Sequence, residues 1–199
     1  MNLARPEANV TGLSNLSEEL TGKRMQLFKD VLPRVLHVAV LWNAGNPVST
    51  IMFKQAEAAA LRLGLQVQSV EVRRPDDFDQ ALAAVSGRPS TLFVVDDPLV
   101  FSQRALVAGF AVQHRLPSSA YYKEFVEAGG LMSLGPSLTY QFRRAAIFVD
   151  KILKGAKPGI CPWSSPRSFS FSSTSRPPKP SASRFRRRCC CGQIKSLNR

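Results

Sequence analysis

Residues 35 to 42, "VLHVAVLW", form a nearly unbroken apolar run, and "NPVSTIMFKQAEAAALRLG", 46 to 64, follows almost at once with helical periodicity. A strand without polar alternation must be covered on both faces, which a parallel sheet achieves by packing its crossover helices above and below. The helix carries its own boundaries: Asn46 at the N-cap, Pro47 at the first helical position and Gly64 as the stop. One such strand–helix unit restricts the fold; repetition of the unit fixes its class.

The unit does repeat. Residues 17 to 32 place Leu20, Leu27, Phe28 and Val31 on one helical face, ended by Pro33. After the first strand and helix come a strand at 65 to 72 and a helix at 76 to 85 that opens on aspartates. A strand at 91 to 96 precedes a helix near 99 to 114, a strand near 117 to 122 precedes "KEFVEA" (123 to 128), and a strand at 131 to 135 precedes a helix at 138 to 155. Five such units predict an α/β, three-layer, doubly wound domain with a mainly parallel five-stranded sheet.

In this architecture ligands bind outside the carboxyl ends of the strands. The loops there are "WNAGNP", "RRPD", "DDPLVF", "SAYYKEF" and "SLGPS", rich in side chains that hydrogen-bond a small polar molecule. No loop has the glycine spacing that wraps a pyrophosphate, and no Ser-His-Asp set or G-x-S-x-G elbow is present, so the expectation is a binding domain with no catalytic residues and no cofactor. A receiver domain also has five units, but it needs acidic residues after its first strand, and here that strand ends "WNAGN".

The candidate ligand-binding residues are Asn43, Asn46, Asp96, Asp97, Tyr121, Tyr122 and Glu124. Asn43 and Asn46 flank a helix start that suits a carboxylate, although capping alone explains Asn-Pro at 46 and 47. Asp96 and Asp97 end a buried strand; either they meet a ligand amine or hydroxyl, or Asp97 caps the next helix while Asp96 stays solvated. Tyr121 and Tyr122 offer aromatic faces and hydroxyls, one of the two belonging to the core. His37 and His114 are isolated from each other and from any cysteine, and read as packed or surface residues.

Charge divides the chain. Of its 27 Lys and Arg, nine lie in residues 160 to 199, which hold no Asp or Glu; the first 159 residues keep 18 basic against 14 acidic, a net of +4 rather than the overall +13. All four cysteines also lie beyond residue 159, and three in a row (189 to 191) lack the spacing that lets thiolates converge on zinc, so no metal site is expected. The start of the sequence lacks the pattern of a signal peptide and no stretch is apolar enough to span a membrane, which for the sequence as written predicts a cytoplasmic location. An alternative function is open at this point: a nucleic-acid-associated protein using the basic tail, with Phe169, Phe171 and Phe185 interleaved among the cations. The tail's Ser and Pro content predicts disorder and only weak, unspecific polyanion binding.

The segments "NLARPEANVTGLSNLSEELTGKRMQLFKDVLP", "VAVLWNAGNP", "DDPLVF", "EFVEAGGLMSLGP" and "FRRAAIFVDKILKGAKP" resemble the substrate-binding proteins of bacterial ABC transporters of the type I periplasmic binding fold, in the branch with tryptophan-type uptake systems. The likeness runs from about residue 2 to 158, with Glu7 and Ala8 standing where two glycines are expected. It implies a periplasmic solute-binding component, an amino acid or similar small molecule as solute, and ABC permease subunits as partners. It also implies two lobes and a hinge, so residues 1 to 16 read as a remnant of the hinge crossing, 17 to 158 as the second lobe, and the first lobe as missing.

Beyond "KGAKP" the resemblance stops, and residues 159 to 199 read as a frameshifted ending. Shifted by one base, "GICPWSSPRSF" has a permitted coding that yields "DLPVEQPTKF", "RRRCCCGQ" becomes "PPPLLLRA", and "IKSLNR" gives "DQVIE" and a stop, each like the family's closing segment. The expectation is loss of one nucleotide near codon 159, a tail without a strand or helix period, and cysteines without a role.

Overall fold

In the computed structural model, the described residues are 9 to 14, 17 to 87, 91 to 161 and 169 to 174. Helix α1 (Ser17–Val31) precedes strand β1 (His37–Asn43), α2 (Pro47–Arg62) and β2 (Gln66–Val72). Then come α3 (Phe78–Ala83), β3 (Leu92–Val94), α4 (Pro98–Ser102), α5 (Arg104–Gln113), β4 (Ser118–Ala120), α6 (Lys123–Glu127), β5 (Met132–Pro136), α7 (Leu138–Leu153) and β6 (Phe169–Ser173). The sheet order is β2-β1-β3-β4-β5-β6. The first five strands pair in parallel, and β6 pairs antiparallel to β5 with Leu134 opposite Phe171.

The alternation read from the sequence is therefore the fold, with one core on each face of the sheet. On one face Val38, Val40, Trp42, Phe93 and Met132 pack against α1 and α2 through Met25, Phe28, Met52 and Ala56. On the other, Ala39, Leu41, Leu92, Val94 and Ala120 meet Phe78, Leu82, Val107, Ala111 and Phe125. Alternate residues of β1 point to opposite cores, which is why the strand shows no polar period. Each large apolar side chain buried in this way contributes about 2 kcal/mol.

Three expectations change. The helix near 99 to 114 is two helices, because Gln103 leaves helical geometry (φ −96, ψ 15) and serves as the end of α4 and the start of α5. On α1, Leu20 and Phe28 are buried as expected, whereas Val31 is exposed and the place between them on the stripe belongs to a fully buried Arg24. Among the described residues the sheet has six strands rather than five. The sixth lies inside the tail expected to be disordered: "FSFSS" alternates with period two, and the open edge of β5 supplies main-chain partners for it. The rest of the basic tail, including Cys189, Cys190 and Cys191, lies outside the described residues.

Gly64 ends α2 with φ +69, the left-handed geometry its place in the sequence predicts. Gly135 in β5 allows close approach instead: a Cβ there would collide with the main-chain carbonyl of Tyr121, so the missing side chain is what lets the β4 exit lie against β5.

Candidate functional site

Strand order reverses at β1, whose neighbours β2 and β3 lie on opposite sides. The crevice between the carboxyl ends of β1 and β3 is where a doubly wound sheet places its ligand. Here that crevice is filled by the protein's own hydrogen bonds. Asn43 at the end of β1 donates from Nδ2 to Asp97 Oδ1 at 3.1 Å, and Asn46 donates from Nδ2 to Asp97 Oδ2 at 2.8 Å.

Each of these residues has a second job in its own loop. Asn46 Oδ1 accepts from the Val48 amide at 3.0 Å, the N-cap of α2. Asn43 Oδ1 accepts from the Gly45 amide at 2.9 Å, tightening the turn. Asp97 Oδ1 accepts from the Leu99 amide at 2.8 Å and the Val100 amide at 3.4 Å, capping α4. Asp97 is buried, and a buried carboxylate is tolerated when hydrogen-bond donors surround it.

The open space is one strand further along, between the exits of β3 and β4. A small cleft, partly open to solvent and with room for about one water, is lined by Asp96, Asp97, Phe101, Arg104, Tyr121 and Tyr122 among others. Asn43, Asn46 and Glu124 do not line it; Glu124 is half-buried on α6. The seven sequence candidates thus divide: Asn43, Asn46 and Asp97 lock two loops together, Asp96, Tyr121 and Tyr122 line the cleft with Asp97 at its edge, and Glu124 stands beside it.

The cleft wall is aromatic. Tyr121 is the tyrosine that belongs to the core, at 2% exposure, and its ring meets Tyr122 edge-on at 4.9 Å. Tyr122 in turn meets Phe101 edge-on at 5.2 Å, and the Arg104 guanidinium sits 4.7 Å from the Phe101 centroid. Burial pushes both tyrosine hydroxyls well above their ordinary range, with the nearby Asp96 charge acting the same way, so both stay protonated as donors at neutral pH.

Asp96 is a carboxylate of the cleft, which Asp97 and Arg104 also line. Burial pushes its carboxyl up to about 6; the positive charge of Arg24 opposes that rise, the neighbouring Asp97 adds to it, and a hydrogen bond with the Tyr122 hydroxyl opposes it. At neutral pH it is ionised in a partly dry, aromatic setting, where a cation binds it more strongly than in water.

Three residues of this arrangement were not among the candidates. Phe101 and Arg104 sit on α4 and α5, which were read as one helix. The apolar pattern of α1 does not disclose Arg24, although Leu20, Arg24 and Phe28 at spacings of four put it on the same buried stripe.

A family model described as ABC transporter substrate binding protein matches residues 1–172. A tyrosine-binding protein of Clostridioides difficile (strain R20291) is 23% identical over 161 residues, covering 81% of this chain and 46% of its own length. Among solved structures, a conserved domain protein of Vibrio cholerae superposes with a TM-score of 0.77 at 24% identity, over 86% of this chain and 57% of the other. A Streptococcus pneumonia ABC domain solved in complex with L-Trp superposes with a TM-score of 0.69 at 22% identity, over 86% and 59%. The chain spans about half the length of these relatives.

Proposed function

The chain belongs to the ABC transporter substrate-binding protein family, and on that premise we propose that it forms one lobe of the solute cleft of a bacterial ABC uptake system. The family is one of binding proteins rather than enzymes. The solute we propose is an amino acid or a similar small zwitterion with an aromatic or apolar side chain, delivered to ABC permease subunits in the periplasm.

One observation carries this reading: a half-buried Asp96 next to a wall of Tyr121, Tyr122 and Phe101 at the carboxyl edge of a parallel sheet. The carboxylate suits an ammonium group and the rings suit an apolar side chain. The relatives' reported solutes, tyrosine for one and tryptophan for another, fit the same chemistry. Asn43, Asn46 and Asp97 act indirectly here, by fixing the loop that carries Asp96.

One lobe supplies half of a cleft that closes on its solute, so the chain alone should bind L-tryptophan or L-tyrosine more weakly than about 1 mM. The test is amide NMR of the chain with L-tryptophan at about ten times that concentration. Shifts confined to 95 to 104 and 120 to 125 are expected; shifts elsewhere, or none, would refute the site. Micromolar affinity by calorimetry would refute the half-cleft account.

For residues 160 to 199 we propose an out-of-frame ending. Against it stand the family match, which runs on to residue 172 rather than stopping near 158, and β6, which pairs with β5 from within this segment. Sequencing the gene across codons 157 to 199 decides: the shifted frame must be free of interior stops and encode a segment like the family's ending, or the proposal fails.

A further inference from the structure

Arg24 is fully buried in the layer between α1 and the sheet. Its Nη2 donates to the carbonyl of Val94 at 2.8 Å and to that of Ser119 at 3.4 Å. These carbonyls belong to β3 and β4, each two residues ahead of a cleft side chain, Asp96 in one case and Tyr121 in the other. The guanidinium lies 4.5 Å from the Phe93 centroid and 5.7 Å from that of Tyr121. Its Nε and Nη1 are buried without a hydrogen-bond partner.

For the core alone this is a poor residue. Burial opposes its charge and lowers its pKa from 12.5 to about 10, and two of its nitrogens lack acceptors. An apolar side chain of similar volume would fill the space beside Phe93 and Tyr121 without that cost. What an arginine adds here is a tie between two strand ends and a positive charge beneath the cleft.

We propose that Arg24 is a positioning residue of the solute cleft, pinning the exits of β3 and β4 together and setting a positive charge beneath the Asp96 carboxylate that receives a solute's ammonium group. The inference rests on the solute-binding reading above. The charged and titratable groups around Asp96 are Arg24 from α1, Asp97 from its own loop, Tyr121 and Tyr122 after β4, and Arg104 of α5 across the cleft. Asp97 and burial disfavour the ionised form, the Tyr122 hydroxyl favours it by hydrogen bonding, and Arg24 is the foremost group favouring it. Arg24 does not line the cleft, so it acts through Asp96 and the strand ends rather than on the solute.

The test is a carboxyl-carbon NMR titration of Asp96 in the full chain and in Arg24→Lys and Arg24→Met. In the Met variant the Asp96 midpoint should rise by about one pH unit, a tenfold weaker hold on the ionised form, and the Lys variant should restore most of that difference. In the unaltered chain, the Arg24 Nε and Val94 carbonyl resonances should follow the Asp96 midpoint. An unchanged midpoint in a folded Met variant overturns the proposal, as does a Lys variant that shifts as far as Met. If the Met variant does not fold, the unaltered chain decides: Arg24 and Val94 signals that stay flat while Asp96 titrates overturn it. No solute enters these measurements, so their failure leaves the proposed function standing, and failure of the tryptophan experiment leaves the Arg24–Asp96 linkage standing.

Discussion

Asp96 and Asp97 are neighbours in sequence and sit at the same strand exit, yet they serve two different regions. On the Asp97 side, facing β1, each carboxylate oxygen accepts hydrogen bonds from the protein: from Asn43, Asn46 and two amides of α4. On the Asp96 side, facing β4, the carboxylate has a tyrosine hydroxyl, an arginine one layer below and a cleft in front. The first region satisfies its carboxylate from within the protein; the second leaves Asp96 facing a cleft, which is why we propose it as the solute side. On the proposed reading, an Asn-Asp-Asn bridge closes the reversal point of the sheet and the solute site lies one strand along, at the β3–β4 exit.

That comparison is broken most directly at Asp97. Asp97→Ala removes the acceptor for two side-chain amides and the cap of α4, leaving part-buried donors unpaired, and should cost about 3 kcal/mol in urea denaturation. A loss below about 1 kcal/mol would mean the bridge is not what fixes these loops.

Asp96→Asn should act in the opposite direction. The folded-state pKa of Asp96 is raised from 3.8 to about 6, so between those values the native state holds more protons than the unfolded one. Stability from this group therefore falls as pH rises from about 4 to about 6, and above that the buried charge carries its full cost. The Asn variant should be more stable than the parent by about 2 kcal/mol at pH 7, with the difference vanishing below about pH 4. Denaturation at pH 7 and pH 4 checks it, and a destabilised Asn variant at pH 7 would place Asp96 with Asp97 as a structural residue.

Asn46 gives a smaller effect on the saturated side. Asn46→Ala removes the α2 cap and one amide from Asp97, for about 1 kcal/mol, while Asn46→Ser keeps a capping oxygen and should lose less than half of that. Equal losses in thermal melts would show that the link to Asp97, and not the cap, is the contribution of Asn46.

How far the sequence discloses these regions follows from how local each interaction is. The Asn46 cap is readable because Asn-Pro signals a helix start within two residues, and β1 is readable because both its faces are apolar. The bond from Asn43 to Asp97 spans 54 residues and depends on β1 and β3 being neighbours, which strand order decides and no local pattern shows. Arg24 was readable in principle, since a cation at the fourth place between Leu20 and Phe28 breaks an apolar stripe; its carbonyl partners on β3 and β4 were not. β6 escaped for a different reason: Phe171 is 44% exposed, so main-chain pairing with the β5 edge defines that strand, and side-chain pattern discloses little of it.

The smallest expected effect sharpens the open side. Tyr122 supplies Asp96 with a hydrogen bond to its ionised form, while its ring is held separately by edge contacts to Tyr121 and Phe101. Tyr122→Phe keeps the ring and removes only the hydroxyl. Because that bond lowers the Asp96 pKa, its removal should raise the midpoint further above about 6, by roughly 0.3 unit, and the loss of stability at pH 7 should stay near about 0.4 kcal/mol. Below about pH 4, where Asp96 is protonated in both states, that loss should shrink toward zero. The Asp96 carboxyl resonance in the variant measures the midpoint, and the tyrosine hydroxyl can matter to the site only through it. A midpoint that does not move would mean that Tyr122 serves the cleft as a packed ring alone, leaving the charge of Asp96 to burial, Asp97 and Arg24.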